Sequence, residues 1–96
     1  TQNRLGATAV VNTSHHIVGI ITDGDIRRML ETNVDIRQIT ASELMNCSPK
    51  TIVHDALAVD ALSIMRQNNI SQLLVTNHEK YSGIIHLHDL IREGII

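Results

Sequence analysis

Two polar residues at the end of an apolar stretch, Thr22 and Asp25, form the clearest candidate site in the sequence. They follow Gly19-Ile20-Ile21 at the point where a helical pattern begins, so a hydroxyl and a carboxylate meet at a strand end. A carboxylate there can accept hydrogen bonds from two sugar hydroxyls, while the hydroxyl and the first helical amides can hold a phosphate. The same spacing fits a capping box that satisfies those amides and touches no ligand, and the two roles can coexist.

A second copy of this pattern is centred on Gly83, 64 residues further along the chain. Residues 7–30 align with residues 71–94 without a gap, and six positions are identical. These are Val11/Val75, Gly19/Gly83, Ile20/Ile84, Ile21/Ile85, Asp25/Asp89 and Arg28/Arg92. Such agreement predicts two copies of one structural unit. His86 replaces Thr22 in the second copy, so a complete hydroxyl-carboxylate pair is expected only in the first.

Hydrophobic periodicity and turn residues predict an α/β chain in which each copy contains a hairpin followed by a helix. The predicted strands are 7–12, 17–22, 51–53, 71–76 and 81–86, and the predicted helices are 23–31, a helix capped by Asp55 that ends near Asn68, and 88–92. The middle helix is expected to bury an apolar face made of Leu57, Ala61, Leu62 and Met65.

The whole unit is therefore read as strand, helix, strand, strand, helix, and only the second copy has all five elements. The counterparts of 45–64 would fall before Thr1, so the first copy is expected to be incomplete and the chain to be a fragment of a longer polypeptide. The predicted division is unit 1 at 1–31, a linker at 32–41 and unit 2 at 42–96.

Several other polar residues are weaker candidates. His86 and His88 are spaced so that both imidazoles face one side of a strand, where they could line a ligand or serve structure. With no third ligand recognisable, a metal site is not predicted. Arg28 could neutralise a phosphate, lie on a solvated helix face or bridge two subunits. Cys47 has no base nearby in sequence and is given no nucleophilic role.

The composition limits the class of partner. A formal net charge of -2 gives no reason to expect nucleic acid or an anionic membrane as a partner. The sequence contains neither a recognisable signal peptide nor an apolar run of membrane length. A single cysteine cannot form an internal disulfide, so a cytoplasmic location is expected.

The tandem unit, with Gly-hydrophobic-x-Thr-x-x-Asp leading into its last helix, resembles the CBS-domain pair, also called a Bateman module. The resemblance implies two pseudo-two-fold related units, and it implies that adenosine-containing ligands bind in clefts between them. On this resemblance the Asp of the motif contacts ribose and the Thr lies nearby, which matches Thr22 and Asp25 fully but only Asp89 in the second copy. It also implies that Thr51, Ile52 and Val53 could make apolar contacts to a base.

Three segments, 19–28, 34–39 and 86–94, resemble the C-terminal CBS pair of bacterial D-arabinose 5-phosphate isomerases of the sugar-isomerase (SIS) family. Those enzymes interconvert D-ribulose 5-phosphate and D-arabinose 5-phosphate in the formation of Kdo, a sugar of lipopolysaccharide. The resemblance places the isomerase residues in a preceding SIS domain. It therefore implies that this fragment is not itself an enzyme and requires no cofactor.

Three interpretations remain open at this point. The pair could sense an adenine nucleotide, a nucleotide-sugar or a sugar phosphate and regulate attached catalytic domains, because the ligand would favour one arrangement of them. It could instead hold a homo-oligomer together without any ligand. It could also be a nucleotide-sensing pair of a different parent protein.

Overall fold

The computed structural model describes residues 6–32 and 35–94, apart from the side chain of Ile36. The described residues form strands β1 (Ala7–Val11), β2 (Ile17–Thr22), β3 (Thr51–Val53), β4 (Gln72–Asn77) and β5 (Lys80–His86) and helices α1 (Asp23–Leu30), α2 (Ala41–Leu44), α3 (Ala58–Asn68) and α4 (Leu87–Arg92). A single 3-10 turn covers Ile36–Gln38 in the predicted linker. The predicted α/β class and element order are confirmed. None of the described helices is long and apolar enough to cross a membrane.

The chain divides into two compact units, Thr1–Pro49 and Lys50–Ile96. Helix α2 lies in the first of these. Thr40 caps α2 through its hydroxyl, which accepts from Glu43 N at 3.2 Å in a capping box. The residues just after α2 stay with unit 1 because they pack on β2.

Unit 1 contains an antiparallel hairpin of β1 and β2, followed by α1. Asn46 forms a short bridge with the outer edge of β2, where it exchanges two backbone hydrogen bonds with Ile20. Met45 lies directly over Gly19: a Cβ built on Gly19 would meet the Met45 sulfur and would lie 2.7 Å from Met45 Cγ. A side chain at position 19 would therefore force Met45 to move.

Unit 2 contains a three-stranded sheet of order β3-β4-β5, in which β3 is parallel and β5 antiparallel to β4. Helices α3 and α4 pack on this sheet. One hydrophobic cluster of buried residues contains Ile52, Ala61, Leu62, Met65, Leu73 and Leu90, and Leu74 on β4 is fully buried as well. The helical members of this core are Ala, Leu and Met, which have high helix propensity, while the β-branched Ile52 lies on a strand.

The start of α3 differs from the prediction. Asp55 does not cap the helix; the N-cap is Leu57, which makes no side-chain cap hydrogen bond. A turn in which Ala56 N donates to Val53 O delays the helix. Leu57 therefore lies before the helical face and is 67% exposed, while Ala61, Leu62 and Met65 are buried as predicted.

The two copies do not align without a gap. Gly19 is opposite Val10 in the first hairpin, whereas Gly83 is opposite Val75 in the second. Val10 and Val75 are therefore equivalent, and the gapless pairing of Val11 with Val75 was wrong. The first strands correspond at a shift of 65 residues and the later elements at 64, because the turn after β1 is one residue longer. The sequence alone could not reveal this shift of one residue, because Val10 and Val11 match Val75 equally well.

Candidate ligand-binding site

Thr22 and Asp25 form a reciprocal capping box at the N-terminus of α1. The Thr22 hydroxyl accepts from the Asp25 amide at 3.3 Å, and Asp25 Oδ2 accepts from the Thr22 amide at 2.8 Å. The Thr22 hydroxyl also donates to Asp25 Oδ2 at 3.0 Å. The capping role that the sequence left open is therefore present.

Arg28 completes this cluster from the next turn of α1. Its guanidinium donates to Asp25 Oδ1 at 2.5 Å, and the Asp25 side chain is only 15% exposed. Burial of the carboxylate opposes ionisation, but hydrogen bonds from Thr22 and the charge of Arg28 outweigh it and lower the pKa of Asp25 below its ordinary value. Asp25 is therefore an anion at neutral pH and can only accept hydrogen bonds.

The unused hydrogen-bonding capacity of the cluster decides what it can bind. Thr22 has committed its one donor to Asp25 and one of its acceptor positions to the Asp25 amide. Asp25 Oδ1, in contrast, receives one hydrogen bond from Arg28 and keeps a free acceptor position. The cluster can thus accept a hydrogen bond from a ligand hydroxyl without losing the cap, and Arg28, whose side chain is 70% exposed, keeps further donors for an anion.

Gly24 leaves this cluster open on the side of the helix terminus. A Cβ built on Gly24 would lie 3.6 Å from the Thr22 hydroxyl oxygen and 3.3 Å from Arg28 Nη1. Any larger side chain there would lie against the hydroxyl and the guanidinium. The absence of a side chain at Gly24 therefore keeps both groups accessible.

The equivalent cluster in unit 2 repeats the carboxylate and the arginine but not the hydroxyl. Asp89 Oδ2 accepts from the His86 amide at 3.0 Å, and Arg92 donates to Asp89 Oδ1 at 2.6 Å. The hydrogen bond from His86 is the main reason that the pKa of Asp89 is lowered, and Arg92 adds to it. Arg28 and Arg92 thus share one role, an ion pair with the motif Asp three residues before, which the repeated spacing of both residues could have indicated.

His86 caps α4 through its ring. Its Nδ1 accepts from the His88 amide at 3.2 Å, and the two imidazoles are stacked with their centroids 5.0 Å apart. Burial and the neighbouring His88 lower the pKa of His86, against the opposing charge of Asp89. His88 stands at the position that corresponds to Gly24, so side chains fill in unit 2 the space that is open in unit 1.

The residues predicted to contact a base, Thr51–Val53, form β3 in a different part of unit 2. Ile52 is a core residue, 8% exposed, while Thr51 and Val53 are exposed. Strand β3 lies beyond β4 from β5, so within this unit the structure does not bring these three residues beside His86. Within the described ranges 6–32 and 35–94, no group of three His, Cys, Asp or Glu side chains is placed to hold a metal ion.

Comparison with protein families gives one match that covers nearly the whole chain. The model of the CBS domain matches residues 1–32 and again residues 41–95. Arabinose 5-phosphate isomerase from Salmonella typhi is 38% identical over 96 residues, and that from Escherichia coli strain K12 is 34% identical. Both alignments cover all of this chain but only 29% of the relative, so the chain spans less than a third of these enzymes.

Solved structures agree with this result. A CBS domain protein from Pyrobaculum aerophilum complexed with AMP is 26% identical, with a TM-score of 0.85 over 99% of this chain and 73% of the other. A CBS domain pair in complex with 5′-methylthioadenosine and S-adenosyl-L-methionine is also 26% identical, with a TM-score of 0.82 over 96% of this chain and 72% of the other. The two matches of the family model and these likenesses place the chain in the CBS domain family, as a pair of CBS units.

Proposed function

We propose that this CBS pair is the regulatory region of an enzyme that interconverts D-arabinose 5-phosphate and D-ribulose 5-phosphate. The observation that carries the proposal is identity of 38% across the full length of the chain, including the stretch between the two CBS matches. The alignment therefore also covers the segment 34–39, one of the three on which the resemblance to these isomerases rests. The catalytic residues belong to a preceding sugar-isomerase domain, and the pair itself performs no chemistry.

Within this pair, the cluster of Thr22, Asp25 and Arg28 is the part of the binding site that recognises the ligand. The free acceptor position on Asp25 Oδ1 suits a ribose hydroxyl, and the exposed guanidinium of Arg28 suits a phosphate. AMP and S-adenosyl-L-methionine, the ligands of two similar CBS proteins, both offer ribose hydroxyls. An adenine nucleotide or a nucleotide-sugar is therefore the proposed class of effector. A bound effector would act on the attached catalytic domain by favouring one of its arrangements.

The test uses the full-length polypeptide that contains this chain. Conversion of D-ribulose 5-phosphate to D-arabinose 5-phosphate should be present in the full-length protein and absent from the 96-residue chain. Isothermal titration with AMP, ATP and CMP-Kdo should give saturable binding for at least one compound, together with a change in isomerase rate. A full-length protein without isomerase activity would refute the proposed parent.

The second candidate is a ligand-free assembly element. Two side chains that lie four residues apart on α1, Ile26 and Leu30, are 37% and 56% exposed, and Ile91 on α4 is 49% exposed. Apolar helix faces of this kind can hold copies of a chain together. Failure of the whole ligand panel, combined with an oligomer that Ile26→Asp or Ile91→Asp dissociates, would favour this function over sensing.

A further inference from the structure

In unit 1, the edge of β2 that faces away from β1 is covered by the segment around Asn46. Ile20 N donates to Asn46 O at 3.0 Å, and Asn46 N donates to Ile20 O at 2.8 Å. Met45 packs over Gly19, as described above, and Gly19 and Ile20 are buried. A short extended segment thus satisfies the backbone of this edge and shields it from water.

Among the described residues, none covers the same edge in unit 2. Gly83 and Ile84 occupy the positions of Gly19 and Ile20, yet both are only half-buried, and a Cβ built on Gly83 would meet no described atom within 4 Å. Leu74, the cross-strand partner of Ile84, donates its amide to Lys50 O on the β3 side of the sheet. Because paired antiparallel residues turn their amides either toward each other or away from each other, the N–H and C=O of Ile84 face the outer edge.

We propose that the edge of β5 at Gly83–Ile84 binds an extended segment of the same polypeptide, located about 20 residues upstream of Thr1 by the repeat period of 64. The segment that covers unit 1 directly precedes β3, the first strand of the second copy. By the repeat, the segment that covers unit 2 directly precedes the first strand of the first copy. The proposal rests on the proposed function only in requiring that this chain is part of a longer polypeptide.

The chemistry of the edge indicates what the segment must provide. It needs one residue that exchanges two backbone hydrogen bonds with Ile84, as Asn46 does with Ile20. It also needs, just before that residue, a flexible apolar side chain that lies over Gly83, as Met45 lies over Gly19. An open sheet edge attracts any extended chain, so a second copy of the protein is the main competitor for this position.

The test compares the 96-residue chain with the full-length polypeptide by hydrogen exchange and thermal unfolding. The Ile84 amide should exchange at least about 100-fold more slowly in the full-length protein, while the already paired Ile20 amide serves as the control in both. Gly83→Val should lower the melting temperature of the full-length protein by several degrees, because the new side chain displaces the segment. In the 96-residue chain the same substitution should leave the melting temperature unchanged, since the space is open.

Several results would overturn the proposal. Fast exchange of the Ile84 amide in the full-length protein, together with a neutral Gly83→Val, would show that no segment covers the edge. Protection that rises with protein concentration would assign the edge to a second copy. If the short chain fails to fold, exchange and Gly83→Val in the full-length protein alone still decide the question. Isomerase activity is measured separately. Its absence would refute the proposed parent enzyme, whereas fast exchange at Ile84 would refute only the proposed binding of a segment to β5.

Discussion

The Thr22 hydroxyl donates a hydrogen bond to the Asp25 carboxylate, with 3.0 Å between Oγ1 and Oδ2. This contact gives the two residues of the motif different roles. The hydroxyl holds the carboxylate in place and has no donor left for a phosphate, whereas the carboxylate keeps an acceptor position. Ligand recognition should therefore depend on Asp25 more than on Thr22, and the stability of the N-terminus of α1 on both.

Asp25→Ala should weaken the binding of AMP to the pair by about 10-fold or more, because a hydrogen bond to a charged group contributes about 1.5–3 kcal/mol. Asp89→Ala is the matched control: it removes an equivalent carboxylate and ion pair, but the stacked rings of His86 and His88 replace Thr22 and Gly24 beside this motif. It should change affinity by less than about threefold. Isothermal titration of both variants gives the comparison, and equal losses at the two positions would contradict the unequal sites.

Thr22→Val should lower the free energy of unfolding by about 1 kcal/mol, since the N-cap loses its side-chain acceptor. Thr22→Ser should retain most of this stability because it keeps the hydroxyl. AMP affinity, measured well below the melting temperature, should change much less than in Asp25→Ala. A variant that unfolds like the wild type but binds AMP weakly would assign the hydroxyl to the ligand instead.

The order of strands and helices could be predicted from the sequence, because two copies of the repeat show the same hydrophobic and turn pattern independently. It was not sufficient at Asp55 and Leu57, where an N-cap residue type and an apolar residue fitted the helical pattern, but a turn at Ala56 moved the start of the helix. Such a turn is decided by how the preceding strand leads into the core, which local propensity does not record.

The candidate site was predicted only in part. Thr22 and Asp25 could be found because a capping box has a fixed spacing. The stacking of the His88 ring on His86, at the position of Gly24 in the other unit, depends on three-dimensional proximity that the sequence does not record. The contact of Met45 with Gly19 could not be predicted either, because nothing in the sequence shows that the segment just after α2 packs on β2.

The stability of unit 2 should decrease as the pH falls below about 6.5, the ordinary pKa of histidine. The pKa of His86 is lowered in the folded chain, so the unfolded chain binds the proton more readily. The stabilising contribution of neutral His86 is therefore present above that pH and is lost as the pH falls toward the lowered value. Protonation also removes Nδ1 as the acceptor for the His88 amide.

The melting temperatures of the wild type and of His86→Thr are compared at about pH 7.5 and 5.5. The difference between the two proteins separates the effect of His86 from that of the other histidines. The variant restores a capping hydroxyl that does not titrate, so its melting temperature should fall less between the two conditions. The lowered pKa values of Asp25 and Asp89 act in the same direction but only near and below the ordinary pKa of about 3.9 for aspartate. Identical pH dependence in both proteins would exclude His86 as the cause.

Gly19→Ala should destabilise the chain by about 1–3 kcal/mol, because the added methyl group would collide with Met45 and would also lie 3.0 Å from Asn46 O. Gly83→Ala in the same chain is the matched control and should be neutral or slightly stabilising, since no described atom lies within 4 Å of the new methyl and alanine loses less entropy on folding. Met45→Ala removes the larger obstacle, so the double variant Gly19→Ala with Met45→Ala should be more stable than the sum of the single effects predicts. Chemical unfolding of the four proteins measures this coupling, and simple additivity would show that Met45 is not what makes glycine necessary at position 19.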